Sequence, residues 1–275
     1  MTRAARTNRW TRPYTTLPTT LSLGSGGSRG VCMLGALSTL QRQGWLDDVT
    51  SFYGCSVGSI IATGLCLGAS CNTLKKRVAK NPIVLDTPPE RVMSNSMKFG
   101  MHGSQHLLRF IKRVTKVGHR TFQDVFQQTG HLLVVVVCNV STGAIEHWSH
   151  HTHPSTKICT ALCLSCRVPF VFTHGTYGGQ VYVDGGVGEP VPHTPDPMST
   201  LAVSFVDHIA EPIQSIVEYT RSLLSVAIRY QAVRWRVEID PGQLSPFDFA
   251  MDHTTVKTAY VLGKRQGATF CKKNT

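Results

Sequence analysis

Apolar positions along the chain fall into short continuous runs and helical stripes, each run ending in glycine. Residues 21–23 form a brief apolar run that leads directly into Gly24-Ser25-Gly26-Gly27-Ser28-Arg29-Gly30. Val31, Leu34, Leu37 and Leu40 then recur at helical spacing until Gly44, so the pattern predicts strand, glycine loop and helix. The same order returns at residues 50–53, followed by Gly54-Cys55-Ser56-Val57-Gly58 and an apolar stretch over 60–67 that reads as a buried helix. Residues 132–140 are an unbroken, largely β-branched run, the pattern of a strand covered on both faces. Residues 181–183 predict another strand, ending in Asp184-Gly185-Gly186, and 201–206 repeats that type. Residues 214–236 read as a helix with basic residues on its open side. Strands alternating with helices predict an α/β fold around a mainly parallel sheet. There is no internal repeat.

Length and composition narrow this picture. A chain of 275 residues with 41% hydrophobic and 16% charged residues builds a real core and is not disordered. The longest apolar stretch, 59–69, is eleven residues, short of the roughly 18 that a spanning helix needs. Residues 1–20 stand apart: Arg3, Arg6, Arg9 and Arg12 occur there, and the first acid in the chain is Asp47. They read as a basic, disordered tail, with a mitochondrial presequence as the alternative. Residues 21–275 are expected to form the folded unit, with an α/β core over 21–210 and a mainly helical part over 211–275. Nine cysteines, an odd number without a signal-peptide pattern, point to reduced thiols and an intracellular, cytoplasmic setting. The net charge of +12 favours an anionic partner. Nucleic acid rests on charge alone and is not expected, because no recognition motif or interleaved aromatic pattern accompanies it.

Three motifs carry the chemistry. Gly24-x-Gly26 after a strand has a superficial likeness to a dinucleotide fingerprint, but the third glycine falls at Gly30 and not at 29. What such a loop does offer is uncovered backbone N–H groups at a helix N-terminus, an anion or oxyanion site. Gly54-Cys55-Ser56-Val57-Gly58 is a Gly-x-Ser-x-Gly elbow in the right context, strand before and helix after. The serine there occupies a tight, strained turn, and glycines two residues away on each side remove the clash. Asp184-Gly185-Gly186, 128 residues beyond Ser56, is by itself an ordinary turn composition.

The order of the three motifs resembles the patatin-like phospholipase family, over nearly the whole chain from residue 21. The family's Gly-Gly-Gly-x-Arg-Gly is similar to Ser25-Gly26-Gly27-Ser28-Arg29-Gly30, with serine for the first glycine. Its strand with Thr-Gly is similar to 134–140 with Thr142-Gly143, and its small-residue helix before a proline to 165–172. Asp184-Gly185-Gly186-Val187 resembles the aspartate motif. There the family carries an asparagine followed two residues later by proline, where this chain has Pro190 ahead of Val191-Pro192. The resemblance implies a three-layer patatin-like fold and a lipid acyl hydrolase of phospholipase A or lysophospholipase type, without cofactor or metal. It implies Ser56 as nucleophile, Asp184 as base, an oxyanion hole from Gly26, Gly27, Ser28 and Arg29, and motif glycines Gly24, Gly30, Gly54, Gly58, Gly185 and Gly186. The alternative is a catalytically weak membrane-binding or scaffolding protein that keeps the fold.

Two further segments bear on this reading. Over 104–120, Leu107, Leu108, Phe110, Ile111, Val114 and Val117 recur at helical spacing, interleaved with Arg109, Lys112, Arg113, Lys116 and Arg120. A basic amphipathic helix of this kind suits peripheral binding to an anionic membrane; a core-packed helix with a solvated basic face has the same pattern. His147, His150, His151 and His153 read as a polar surface loop, with a metal site or a Ser–Asp–His triad as the sharper alternatives. The sequence does not set an oligomeric state.

Overall fold

The run at 21–23 becomes a buried strand at the centre of the molecule. The computed structural model describes residues 17–206 and 230–274, together with Tyr219 and Ser222. Most of the basic tail at 1–20 and most of the helix expected over 214–236 lie outside the described residues. Where that stretch is described, Tyr219 and Ser222 are helical, 230–234 has no regular structure and Trp235–Ile239 is a strand.

Ten strands are described: β1 (Thr20–Leu23), β2 (Ser51–Cys55), β3 (Gly100–His102), β4 (Leu132–Asn139), β5 (Ala144–Trp148), β6 (Phe170–Phe172), β7 (Gly175–Tyr177), β8 (Gln180–Asp184), β9 (Thr200–Phe205) and β10 (Trp235–Ile239). The main sheet runs β10-β9-β1-β2-β4-β8-β7, with β5 also on β4, while β3 and β6 form a separate pair. From β10 to β4 every pairing is parallel; β5, β8 and β7 join antiparallel. The helices whose ends are described are α1 (Gly30–Arg42), α2 (Val57–Cys66), α3 (Cys71–Ala79), α4 (Pro89–Ser96), α5 (Gln105–Thr115), α6 (Phe122–Thr129), α7 (Ile158–Ser165) and α8 (His253–Asn274). The result is the α/β architecture with a central, mostly parallel sheet flanked by helices.

The one-sided stripe expected of α1 is too narrow. Everything in it but Gln41 and Arg42 is buried, because α8 closes over the side that the sheet leaves open. Gly35 of α1 lies against the carbonyl of Tyr260, and Gly263 of α8 lies against the carbonyl of Cys32, so the two backbones approach more closely than any side chain allows. The segment beyond 230 therefore supplies both a sheet strand and the cover of α1. The amphipathic pattern of α5 resolves as core packing: Leu107, Ile111 and Val114 are buried, and Arg109, Lys112, Arg113 and Lys116 are exposed. The helix ends at Lys116 in the left-handed conformation, so the half-buried Arg120 lies beyond it.

The strand neighbours of β4 decide where the motifs meet. β2 pairs with residues 132–136 of β4, β8 with 137–139, and β5 with 135–139. A strand has two edges. β5 overlaps both others in register, so β2 and β8 must share the opposite edge, one continuing where the other stops. Cys55 is the partner of Val136 and Asp184 the partner of Val137. Ser56, next after Cys55, is thereby delivered to Asp184.

Candidate active site

Ser56 Oγ–H donates to Asp184 Oδ2 at 2.6 Å. Ser56 sits between β2 and α2 with φ 53° and ψ −127°, a left-handed backbone that non-glycine residues rarely adopt. The flanking glycines are needed for close approach. A Cβ on Gly54 would meet the backbone of Ser59, and one on Gly58 the carbonyls of Leu23 and Gly24. The strained turn is tied down from three sides. Ser56 N–H donates to Ser165 Oγ at 2.9 Å, Ser165 Oγ–H donates to the Val136 carbonyl at 2.6 Å, and Ser59 Oγ–H donates to the Ser56 carbonyl at 2.6 Å. Ser165 is a positioning residue that motif reading did not single out. Its signal was its place at the end of the small-residue helix α7.

Ser56 and Asp184 are each only 4% exposed. Burial pushes the Asp184 carboxyl up to about 6, against the opposing pull of hydrogen bonds from Ser56 and from Gly186 N–H. Asp184 Oδ1 accepts the Gly186 N–H at 2.8 Å, which turns Oδ2 toward the serine. Pro190, at the position where an asparagine was expected, joins this loop to the first motif: its carbonyl accepts the Ser25 N–H at 2.7 Å. Ser25 itself lies against Gly186, small against small.

The glycine loop contributes fewer free donors than its length promised. Ser28 N–H donates to the Pro246 carbonyl at 2.9 Å and Ser28 Oγ–H to the Ser245 carbonyl at 2.9 Å. Arg29 N–H is turned back to the Gly26 carbonyl at 3.2 Å. Among the described residues the N–H groups of Gly26 and Gly27 keep no such partner. The Arg29 side chain is buried, its Nε–H reaching the Gly26 carbonyl at 3.3 Å and its guanidinium lying 4.8 Å over the Phe205 ring. Geometry thus makes Arg29 a brace for the loop. Gly27 (φ 56°) packs against the Pro246 carbonyl, and Gly30 packs against the Val57 side chain, which fixes α1 against the elbow. Gly24 N–H continues the sheet to the Val203 carbonyl, and Gly185 lies against the Val136 carbonyl.

Gly27 and Ser56 open into one groove, walled by Leu34, Ile60, Ile61, Leu107, Phe110 and Phe249 among others. It suits an alkyl chain whose carbonyl end reaches the serine. The histidine cluster lies elsewhere. His147 is on β5, not in a loop, and its Nε2 meets Glu189 at 2.9 Å; His150 stacks on Phe126 and His153 on Trp148. None of His147, His150, His151 and His153 bonds to Ser56 or Asp184. Among the described residues no group of acids, histidines and cysteines is arranged to hold a metal ion. Cys163 and Cys166 are buried around the end of α7, with their thiols pushed up by burial.

Comparison with known proteins bears on the family and the fold. A family model described as patatin-like phospholipase matches residues 21–196. A protein of invertebrate iridescent virus 6 named probable lipid hydrolase 463L is 28% identical over 179 residues, covering 63% of this chain and 61% of that protein. The triacylglycerol lipase ptl3 of Schizosaccharomyces pombe is 25% identical over 207 residues, 65% of this chain and 42% of that one. The chain therefore spans about three fifths of the first relative and less than half of the second. VipD from Legionella pneumophila has the same fold, with a TM-score of 0.61 at 15% identity over 94% of this chain and 67% of that one.

Proposed function

The chain belongs to the patatin-like phospholipase family, and from that premise we propose that it is a serine acyl hydrolase of phospholipids or lysophospholipids, working through Ser56 and Asp184. The observation that carries this reading is the 2.6 Å hydrogen bond between a serine on a strained elbow and a buried carboxylate. As Ser56 Oγ attacks the ester carbonyl, its proton passes to Asp184 Oδ2. The tetrahedral oxyanion takes hydrogen bonds from the N–H groups of Gly26 and Gly27. Collapse breaks the C–O bond to the alcohol, and Asp184 returns the proton to that leaving oxygen. Water, deprotonated in turn by Asp184, then attacks the acyl carbonyl, and as the bond to Ser56 Oγ breaks Asp184 returns the proton to that oxygen and the fatty acid leaves. A carboxylate near its ordinary pKa is a weak base for a hydroxyl, and the shift of Asp184 to about 6 narrows that gap.

The substrate assignment rests on the apolar groove and the relatives' names. Action at an anionic membrane from the cytoplasmic side is supported by the +12 charge, the exposed basic face of α5 and the odd count of nine cysteines. Phospholipids, lysophospholipids and neutral esters offered side by side, with fatty-acid release measured for wild type and Ser56→Ala, provide the test. We expect release from the phospholipids, its loss in the variant, and a single fluorophosphonate adduct on the peptide carrying Ser56. Equal labelling or equal turnover in Ser56→Ala would refute the assignment.

A further inference from the structure

α4 is a helix without a core. None of its residues is buried, and an isolated helix of eight residues has little stability of its own in water. It carries Met93, exposed at 78%, and is capped at its C-terminus by Met97, exposed at 82%. Next to them stand Phe99 at 72%, Met101 and, on the paired strand β6, Phe170, with the exposed Val84 a few residues before α4 in the chain. These six make up half of the large apolar side chains that stand exposed among the described residues. They are held together: Phe170 N–H donates to the Phe99 carbonyl, and Asn95 Nδ2–H to the Met101 carbonyl. Both phenylalanines have positive φ, 54° and 68°, a strained backbone for a bulky residue. A patch that concentrates half of the exposed large apolar side chains of the described residues marks an interaction surface.

Three observations name the partner. The patch adjoins the groove that leads to Ser56: Ile83 precedes Val84, Phe172 follows Phe170 by two residues, and both line that groove. Exposed Arg91, Lys98, Arg109, Lys112 and Arg113 belong to the same stretch of chain, whose acids between Asp48 and Asp124 are Asp86 and Glu90 alone. Unbranched methionine side chains adapt to a partner without fixed shape. We propose that α4 and the β3–β6 pair form the surface that inserts into an anionic lipid bilayer, so that the groove opens directly onto the acyl chains. The inference rests on the lipid hydrolase reading and adds to it the surface through which substrate arrives. It also moves the main contact from the charged face of α5 to an apolar one, leaving α5 the electrostatic part.

The experiment uses the whole chain carrying Ser56→Ala, so that binding is read without hydrolysis. Its partition onto phosphatidylcholine vesicles containing phosphatidylserine is measured at low salt and at about 1 M, where screening leaves mainly apolar contacts. We expect the carrier to keep much of its binding at high salt. Adding Met93→Gln, Met97→Gln and Phe99→Asn together should weaken it by roughly a hundredfold at both salts; asparagine tolerates the positive φ at position 99. As a reading that does not depend on the triple variant folding, the indole fluorescence introduced by Met97→Trp should be quenched by lipids brominated along their acyl chains. Equal binding by carrier and triple variant, loss of all binding at high salt, or an introduced indole that stays unquenched would overturn the proposal. So would self-association of the carrier that the triple variant abolishes, which would make the patch a contact between copies. Insertion by a protein whose active form releases no fatty acid would sink the hydrolase reading and leave this one standing.

Discussion

Asp184 combines a stability cost with a chemical use. Its carboxyl is raised from 3.8 to about 6 by burial, so between those values the folded chain holds a proton that the unfolded chain has lost. Stability therefore falls as pH rises through that window, by roughly 3 kcal/mol in all. Asp184→Asn keeps the shape, with an amide still able to accept from Gly186 and donate to Ser56, and removes the titration. We expect turnover to drop at least about a hundredfold. Denaturant unfolding should show the variant gaining on wild type between pH 4 and pH 8. Wild-type turnover should rise with pH through about 6 as the carboxylate forms. A flat pH profile with retained turnover in Asp184→Asn would remove the aspartate from the chemistry.

The elements that hold the motifs are braced by others far along the chain. The glycine loop leans on Ser245 and Pro246, and α1 is closed by α8 through Gly35 and Gly263. Gly263→Val would drive a branched side chain into the Cys32 carbonyl, and overpacking of this kind costs about 1–3 kcal/mol. Gly103→Ala, with no atom near its added methyl, serves as the control. Chemical denaturation should show the loss in the first variant and almost none in the second; equal stabilities would mean that the two helices are free to separate. Much of the local structure was legible: β1, α1, β2, α2, β4, β8 and β9 fall on the apolar runs and stripes read from the sequence. β3, β5, β6 and β7 were not, since these short strands, three to five residues each, carry little period-2 pattern. The first two residues of β10 were taken into a helix, and the rest left unassigned, because Trp235 to Ile239 alternates too briefly to stand out beside the basic residues before it.

At the scale of the whole molecule, an excess of twelve positive charges is a long-range field, and α5 presents four of them in the open. Neutralising Lys112, Arg113 and Lys116 together should weaken vesicle binding by roughly tenfold to a hundredfold at low salt. The loss should vanish at about 1 M salt, where the Debye length is about 3 Å. Sedimentation with anionic vesicles at the two salts decides it; a loss that persists at high salt would mean that these residues do more than attract. Local order along the chain was enough to set the fold class and to mark the serine elbow, because turn geometry and burial periods act over a few residues; Asp184, an ordinary turn residue by itself, stood out only through the order of the three motifs and the family they resemble. Three things took the tertiary structure. The meeting of Ser56 with Asp184 depends on β2 and β8 following one another along the same edge of β4. The choice among the loop's N–H groups depends on the Pro246 carbonyl, more than two hundred residues away, which takes the Ser28 N–H. The raised Asp184 carboxyl depends on helices and strands excluding water from all sides at once. Each is a product of long-range packing, which no window of sequence contains.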